Sequence, residues 1–284
     1  MEKLNSIPKY PWALRQLPPF PPVANRLLGL LQDPNVSNAQ LSDVIRIDPT
    51  FSFELLRLAN SSLFGFSQQV SDIAHAISIV GLERVKALVM MVALNAQIKS
   101  ALRYQRLLDC WIHCLACAVL TETVARGCGI PAERAYMAGL LHDVGRLGMM
   151  TAYPQEYARL LDVATEEGLP LIQAELDIFD IDHCMAGAWL AAEWNLPQEV
   201  RFVAQTHHEA PEPGDRELGN LLRITNRITN LIGFSVTPEP DIYSFEDLMD
   251  MLPQPARRRI DTSQSALKQE ILEKVSVFAA PRAA

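Results

Sequence analysis

Apart from Arg257-Arg258-Arg259, which reads as a short surface cluster able to touch a partner, the chain has no run of lysine or arginine, and its net charge is −8. Capture of a phosphate backbone needs clustered positive charge, so direct DNA binding is not expected; one small basic pocket for a nucleotide remains open. The opening residues, Met-Glu-Lys-Leu-Asn-Ser-Ile-Pro, lead into none of the apolar core that a secretory signal requires. The longest uncharged stretches, near 87–98 and 110–121, fall short of the ~20 residues of a spanning helix. No membrane role is expected, and the expected location is cytoplasmic. Five cysteines, an odd number, fit a reducing compartment rather than a disulfide framework. Alternating strand patterns, internal repeats and low-complexity tracts are missing as well.

What remains is a globular composition, 49% hydrophobic and 20% charged over 284 residues, enough to bury a core without staples. The apolar spacing is helical throughout, so the expected fold class is all-α. Val23, Leu27, Leu30 and Leu31 follow a proline pair; Ser37 with Gln40 forms a capping box; Asp48-Pro49 supplies an N-cap and first residue. Ile73, Ile77 and Val80 mark a short helix that Gly81 stops, and another begins at Leu82. A long helix is expected from Tyr104 to Arg126, and Pro131 opens the helix that delivers His142-Asp143, with Gly145 as its stop. Helices at 154–166 and 170–178, a helix capped by Asp182 and one opened by Pro197 follow. Past Gly233 the chain reads as a linker to about residue 243, and Leu267, Ile271 and Val275 form the stripe of a terminal helix.

Histidine is scarce, and its placement is uneven. His75 stands alone in the first hundred residues and reads as a packing or surface residue. The other five, His113, His142, His183, His207 and His208, all fall within 101–235. Their order is a single His in mid-helix, a His-Asp pair, a His early in a helix and a His-His pair. Neutral imidazole and ionised carboxylate are both ligands for iron, manganese or zinc. Cys110, Cys114 and Cys117 have the spacing of a radical-SAM cluster site. They recur, however, on one face of an amphipathic helix and read as small core residues; Cys128 and Cys184 have no partner pattern. Trp189 and Trp194 read as packing.

This order of histidines resembles the HD superfamily of metal-dependent phosphohydrolases. The resemblance implies that His113, His142, Asp143, His183, His207 and His208 converge from separate helices on one or two divalent ions, with Asp143 able to bridge two. It also implies that Arg146 stands near phosphate, where many of these enzymes have lysine. The family closes its site with an aspartate on a later helix. Here the matching stretch offers Asn226 or Asn230, and an amide oxygen holds a metal with one less negative charge. The HD-GYP enzymes, which hydrolyse cyclic di-GMP, are similar around His207-His208-Glu209, but the tyrosine of their motif is absent. Asp109, four residues before His113, echoes their extra carboxylate and otherwise reads as an exposed helix charge.

A second resemblance covers roughly residues 15–235. The stretches 17–28, 55–65 (Leu-Leu-Arg-Leu-Ala-Asn-Ser-Ser-Leu-Phe-Gly) and 76–85 (Ala-Ile-Ser-Ile-Val-Gly-Leu-Glu-Arg-Val) are similar to the N-terminal half of the HDOD domain, the HD-related output domain of bacterial signalling proteins. It implies an N-terminal arm over 1–16, an HDOD domain over 17–235 made of lobes 17–100 and 101–235, and a linker with a helical tail over 236–284. It also implies a regulatory module that acts by binding signalling proteins or a small ligand, with a largely retained metal site. The alternative is a metal-dependent phosphohydrolase of a nucleotide or cyclic dinucleotide. A third reading gives the metal only a bracing role.

Overall fold

Capping chemistry and prolines set where the first helices begin. The computed structural model describes residues 11–60, 69–194, 196–237, 242–260 and 263–279. Among these residues every regular element is helical, and no strand occurs. Helix α1 (Pro22–Leu30) starts at the proline pair. Helix α2 (Asn38–Ile45) starts at the expected box: Gln40 N–H donates to Ser37 Oγ at 3.2 Å, and Ser37 N–H donates to Gln40 Oε1 at 2.9 Å. Asp48 accepts the Thr50 N–H at 2.7 Å to open α3 (Pro49–Ala59). Such caps each contribute about 1 kcal/mol. Asn60 closes α3 and ties it to the returning chain, donating to Val70 O at 2.8 Å and accepting from Val70 N at 2.7 Å. The 61–65 part of the HDOD-like motif lies outside the described residues. Helix α4 (Ile73–Val80) ends at Gly81, whose φ of +82° takes the chain into α5 (Leu82–Ile98). His75 is exposed. These five helices form one compact unit, Pro18–Lys99, around Leu27, Leu41, Ile45, Leu55, Ile77 and Leu94.

The other unit comprises Met1–Leu17 with Ser100–Ala284. Its spine is α6 (Gln105–Gly127), which is long and apolar enough to cross a membrane by length and composition, although 72% of its most apolar window is buried within the protein. Cys110, Cys114 and Cys117 are fully buried on it. Burial pushes the thiols of Cys110 and Cys117 up to about 12, so they stay protonated and inert. Asp109 accepts a hydrogen bond from Gln105 Nε2 at 3.0 Å in an exposed setting.

Against α6 pack α7 (Ala132–Leu141) and α13 (Leu218–Thr229). Between α7 and α13 the chain forms α8 (Val144–Ala152), α9 (Pro154–Glu167), α10 (Leu171–Phe179), α11 (His183–Glu193) and α12 (Gln198–Thr206). Gly145 does not stop a helix, as the sequence suggests; it lies in the first turn of α8. A Cβ there would sit 2.0 Å from His183 O and 2.3 Å from Gly187 N, so the glycine is what lets α8 abut α11. After α13 a π-turn (Asn230–Phe234) leads to α14 (Phe245–Met251), α15 (Gln254–Arg257) and α16 (Gln264–Ala279). Leu267, Ile271 and Val275 are the buried stripe of α16, and Arg257 pairs with Asp250. Residues 12–14 pack within this unit: Ala13 and Leu14 are fully buried, and Trp12 Nε1 donates to Asp180 Oδ2 at 2.9 Å. Trp194 is buried at the end of α11.

Candidate metal centre

Five elements bring the predicted ligands together. His113 comes from the middle of α6, and His142 and Asp143 occupy the break between α7 and α8. His183 is the first residue of α11, whose N-cap Asp182 accepts the Met185 N–H at 2.7 Å. His207 and His208 follow α12. His113, His142, Asp143, His183 and His207 are all buried, whereas His208 keeps an exposed edge.

The Nδ1 partners fix the tautomers. His113 Nδ1 lies 2.9 Å from Phe234 O, His142 Nδ1 lies 2.7 Å from Gly139 O, and His207 Nδ1 lies 3.0 Å from Ala204 O. A carbonyl only accepts, so each Nδ1 carries the proton and each Nε2 presents a lone pair. His183 Nδ1–H donates to the Glu175 carboxylate at 2.6 Å.

All four Nε2 atoms converge on Asp143. Its Oδ2 lies 3.8 Å from His113 Nε2 and 3.6 Å from His142 Nε2; its Oδ1 lies 3.6 Å from His183 Nε2 and 3.3 Å from His207 Nε2. One carboxylate oxygen thus serves each pair of histidines. Within the pairs, Nε2 atoms stand 3.2 Å apart for His113 and His142 and 3.3 Å apart for His183 and His207, while His208 Nε2 is 2.9 Å from His183 Nε2. Between His113 and His142, whose Nδ1 atoms carry the protons, the approach has no hydrogen to share. Asp143 Oδ1 and Asn226 Oδ1 are buried without a hydrogen-bond donor. Facing lone pairs and orphaned oxygens are the donor set that a divalent cation satisfies, so this His/Asp cluster is competent to bind metal.

Electrostatics agree. Burial pushes His113 down to about 4 and His142 and His207 below the ordinary histidine range, keeping them neutral. Burial opposes ionisation of Asp143, but Arg146 and the surrounding histidines outweigh it and hold the carboxyl well below its usual range. His183 is the exception: burial opposes its charge, but the Glu175 carboxylate outweighs burial and raises it well above the ordinary histidine range, so a metal ion at Nε2 would displace a proton there. Arg146 is inside the site: Nη1 pairs with Asp143 Oδ2 at 3.1 Å, and Nη2 approaches His183 Nε2 at 3.2 Å. Asn226 and Asn230 line the same cavity, with Leu171, Ser235, Val236 and Thr237. The cavity's volume is about 30 Å³.

Two contributors escaped the sequence analysis. Phe234 acts through its backbone carbonyl, which no side-chain pattern reveals. Glu175 left a trace: it falls on the buried face of α10 with Leu171, Ala174 and Phe179, a carboxylate on an apolar stripe. Its Oε2 accepts from His183, and Tyr157 Oη–H donates to its other oxygen.

The comparisons bear on the whole chain. An uncharacterized protein of Treponema pallidum (strain Nichols) is 28% identical over 197 residues, which cover 68% of this chain and 38% of that one; this chain therefore spans well under half of that relative. Solved structures share the fold. An HDOD domain protein of unknown function from Geobacter sulfurreducens superposes with a TM-score of 0.67 at 23% identity, covering 98% of this chain and 93% of that one. A candidate signal transduction protein from Marinobacter aquaeolei VT8 gives a TM-score of 0.68 at 21% identity, over 93% of this chain and 59% of that one. A candidate phosphohydrolase from Shewanella amazonensis SB2B gives 0.63 at 20%, over 95% and 99%. Residues 17–210, more than half of the chain, match the family model of the HDOD domain, and the chain belongs to that family.

Proposed function

We propose that this chain is a signal-transduction module whose HD-type site is loaded with one or two divalent ions and which acts by binding partner proteins or a small ligand, rather than by hydrolysing a nucleotide. The carrying observation is the size of the site: about 30 Å³ at the ligand cluster. That admits an ion or a water, whereas pockets for small molecules run to about 300–1,000 Å³, so a partner or small ligand would bind outside the ligand cluster. The neutral Asn226 in the cavity supports the same reading, because phosphoryl chemistry at a two-metal centre draws on carboxylates to hold both ions.

His113 and His142 with Asp143 Oδ2 would hold one ion, and His183, His207 and His208 with Asp143 Oδ1 the other. When bound, the metal supplies Lewis acidity and ties five helical segments together. Glu175 orients His183, Phe234 O orients His113, and Arg146 neutralises Asp143. The test is metal analysis of protein purified without added metal, with His142→Ala as control, followed by incubation with Mn²⁺ and a panel of nucleotides and cyclic dinucleotides. Stoichiometric metal with no turnover above the His142→Ala background is the expected result. Metal-dependent turnover would establish the phosphohydrolase instead, and absence of metal would overturn both.

A further inference from the structure

The His183 half of the centre contains a donor that the histidine pattern does not supply. Cys184 Sγ and a ring nitrogen from each of His183, His207 and His208 all lie within 4.8 Å of one another. Two atoms bound to one tetrahedral ion at 2.0–2.3 Å stand roughly 3.3–3.8 Å apart, so the four donors are gathered to within about 1–1.5 Å of that spacing, a gap that small side-chain adjustments on binding would close. Local folding explains the convergence. Asp182 caps α11, which puts His183 and Cys184 together in the first turn, and the residues after α12 bring His207 and His208 against them.

A second observation directs a cation to this place. Asp143 Oδ1 is buried, has no hydrogen-bond donor, and is aimed at His183 Nε2 and His207 Nε2, 3.6 and 3.3 Å away. Charge supplies the third argument. Asp143 is already paired with Arg146 at 3.1 Å, and the closing amide Asn226 brings no charge. Beyond its share of Asp143, a dication here would meet three imidazoles that bring it no negative charge. One thiolate restores part of the missing negative charge, and Cys184 is the cysteine that reaches these histidines; Cys110, Cys114 and Cys117 lie along α6.

We infer that Cys184 donates a thiolate to an ion held with His183, His207 and His208, giving this half of the centre a nitrogen–sulfur donor set that selects zinc over the harder manganese and magnesium. The inference rests on the metal-loaded reading above. On binding, the Cys184 S–H bond breaks, a metal–sulfur bond forms and the proton leaves to solvent, with no change of oxidation state. The ion takes the His183 Nε2 position that Arg146 Nη2 now approaches at 3.2 Å, a proton held there leaving to solvent as well, while Arg146 keeps Asp143.

The test loads metal-free full-length protein with Co²⁺ and records cobalt content and absorption together. Expected are visible d–d bands and a thiolate-to-cobalt charge-transfer band in the near ultraviolet. The charge-transfer band disappears in Cys184→Ser and Cys184→Ala and survives in Cys128→Ser. Zinc affinity in Cys184→Ala falls by more than the ~10–100-fold typical of losing an outer-shell partner, while manganese affinity holds. Bound cobalt without a charge-transfer band in the wild type, or a band that persists without Cys184, overturns the thiolate ligand and leaves the metal centre standing. Failure to bind cobalt overturns both. A wild-type spectrum without the band overturns the thiolate ligand whether or not a variant folds, and with two Cys184 variants and the Cys128 control one folded pair suffices to assign the band.

Discussion

Glu175 holds His183 twice through one oxygen: its Oε2 accepts the His183 Nδ1–H at 2.6 Å and the His183 backbone N–H at 2.8 Å. The ring therefore cannot turn without breaking a bond that also fixes the start of α11. Carboxylate partners of this kind set the tautomer and raise the basicity of a ligating imidazole. Glu175→Ala is expected to lower metal affinity by about 10–100-fold, with Glu175→Gln between it and wild type. Competition against a chelator measures this; equal affinities in all three proteins would show that Glu175 does not position His183.

Metal removal tests the centre as a brace. Its ligands come from five segments of one unit, so an ion stabilises the folded chain over the unfolded one. At a free-metal concentration 1,000 times Kd the gain is about 4 kcal/mol. For a unit of roughly 200 residues that is a drop of about 8–16 °C in Tm after chelation. Calorimetry of metal-replete and chelated protein reads the difference directly. His142→Ala is expected to show a much smaller drop, and an identical Tm before and after chelation of wild type would refute the bracing role.

The residues of the cluster were legible in the sequence because metal binding calls for particular residue types, and six histidines in 284 residues make five in family order conspicuous. Helix starts at Ser37, Asp48 and Asp182 were legible for a similar reason: capping is local chemistry, decided within three residues. Gly145 was not, because its role is set by His183 and Gly187, some forty residues away, and a glycine after a helix looks the same whether it ends that helix or admits another. The Phe234 carbonyl was invisible, since every residue has one. Ser235, Val236 and Thr237 were assigned to the end of a domain and a linker, yet they line the cavity; polar, turn-rich residues give no hint of what they will face.

Gly145 makes a sharp packing test. The atoms a Cβ would meet at 2.0 and 2.3 Å belong to backbone, which cannot swing aside as a side chain can. Gly145→Ala is expected to cost at least the ~1–3 kcal/mol of an overpacked core, and to displace His183 with it. Gly29→Ala is the counterpart of opposite sign: it lies in α1 with open space around the added methyl and an ordinary φ. The gain there is up to about 1 kcal/mol of helix propensity. Urea denaturation of both variants measures the pair, and a stable Gly145→Ala protein would show that α8 and α11 do not meet as closely as described.

Asn226 offers a change whose sign depends on metal. Its Oδ1 is buried in the cavity with no donor, and Asn226 is one of the two residues, with Asn230, that the HD resemblance sets against a carboxylate. Asn226→Asp adds a negative charge to a site already containing Asp143. Without metal, that charge is unpaired in a buried setting, and the variant is expected to be less stable than wild type by about 3 kcal/mol, the lower range for an uncompensated buried ion. With Mn²⁺ present the same carboxylate becomes a ligand, so Mn²⁺ affinity rises and the stability order reverses. Melting curves of both proteins with chelator and with excess Mn²⁺ give four values. A crossover between the two conditions supports an ion within reach of position 226. The same order in both conditions would place the metal away from Asn226, and would leave its unpartnered oxygen as a simple packing cost.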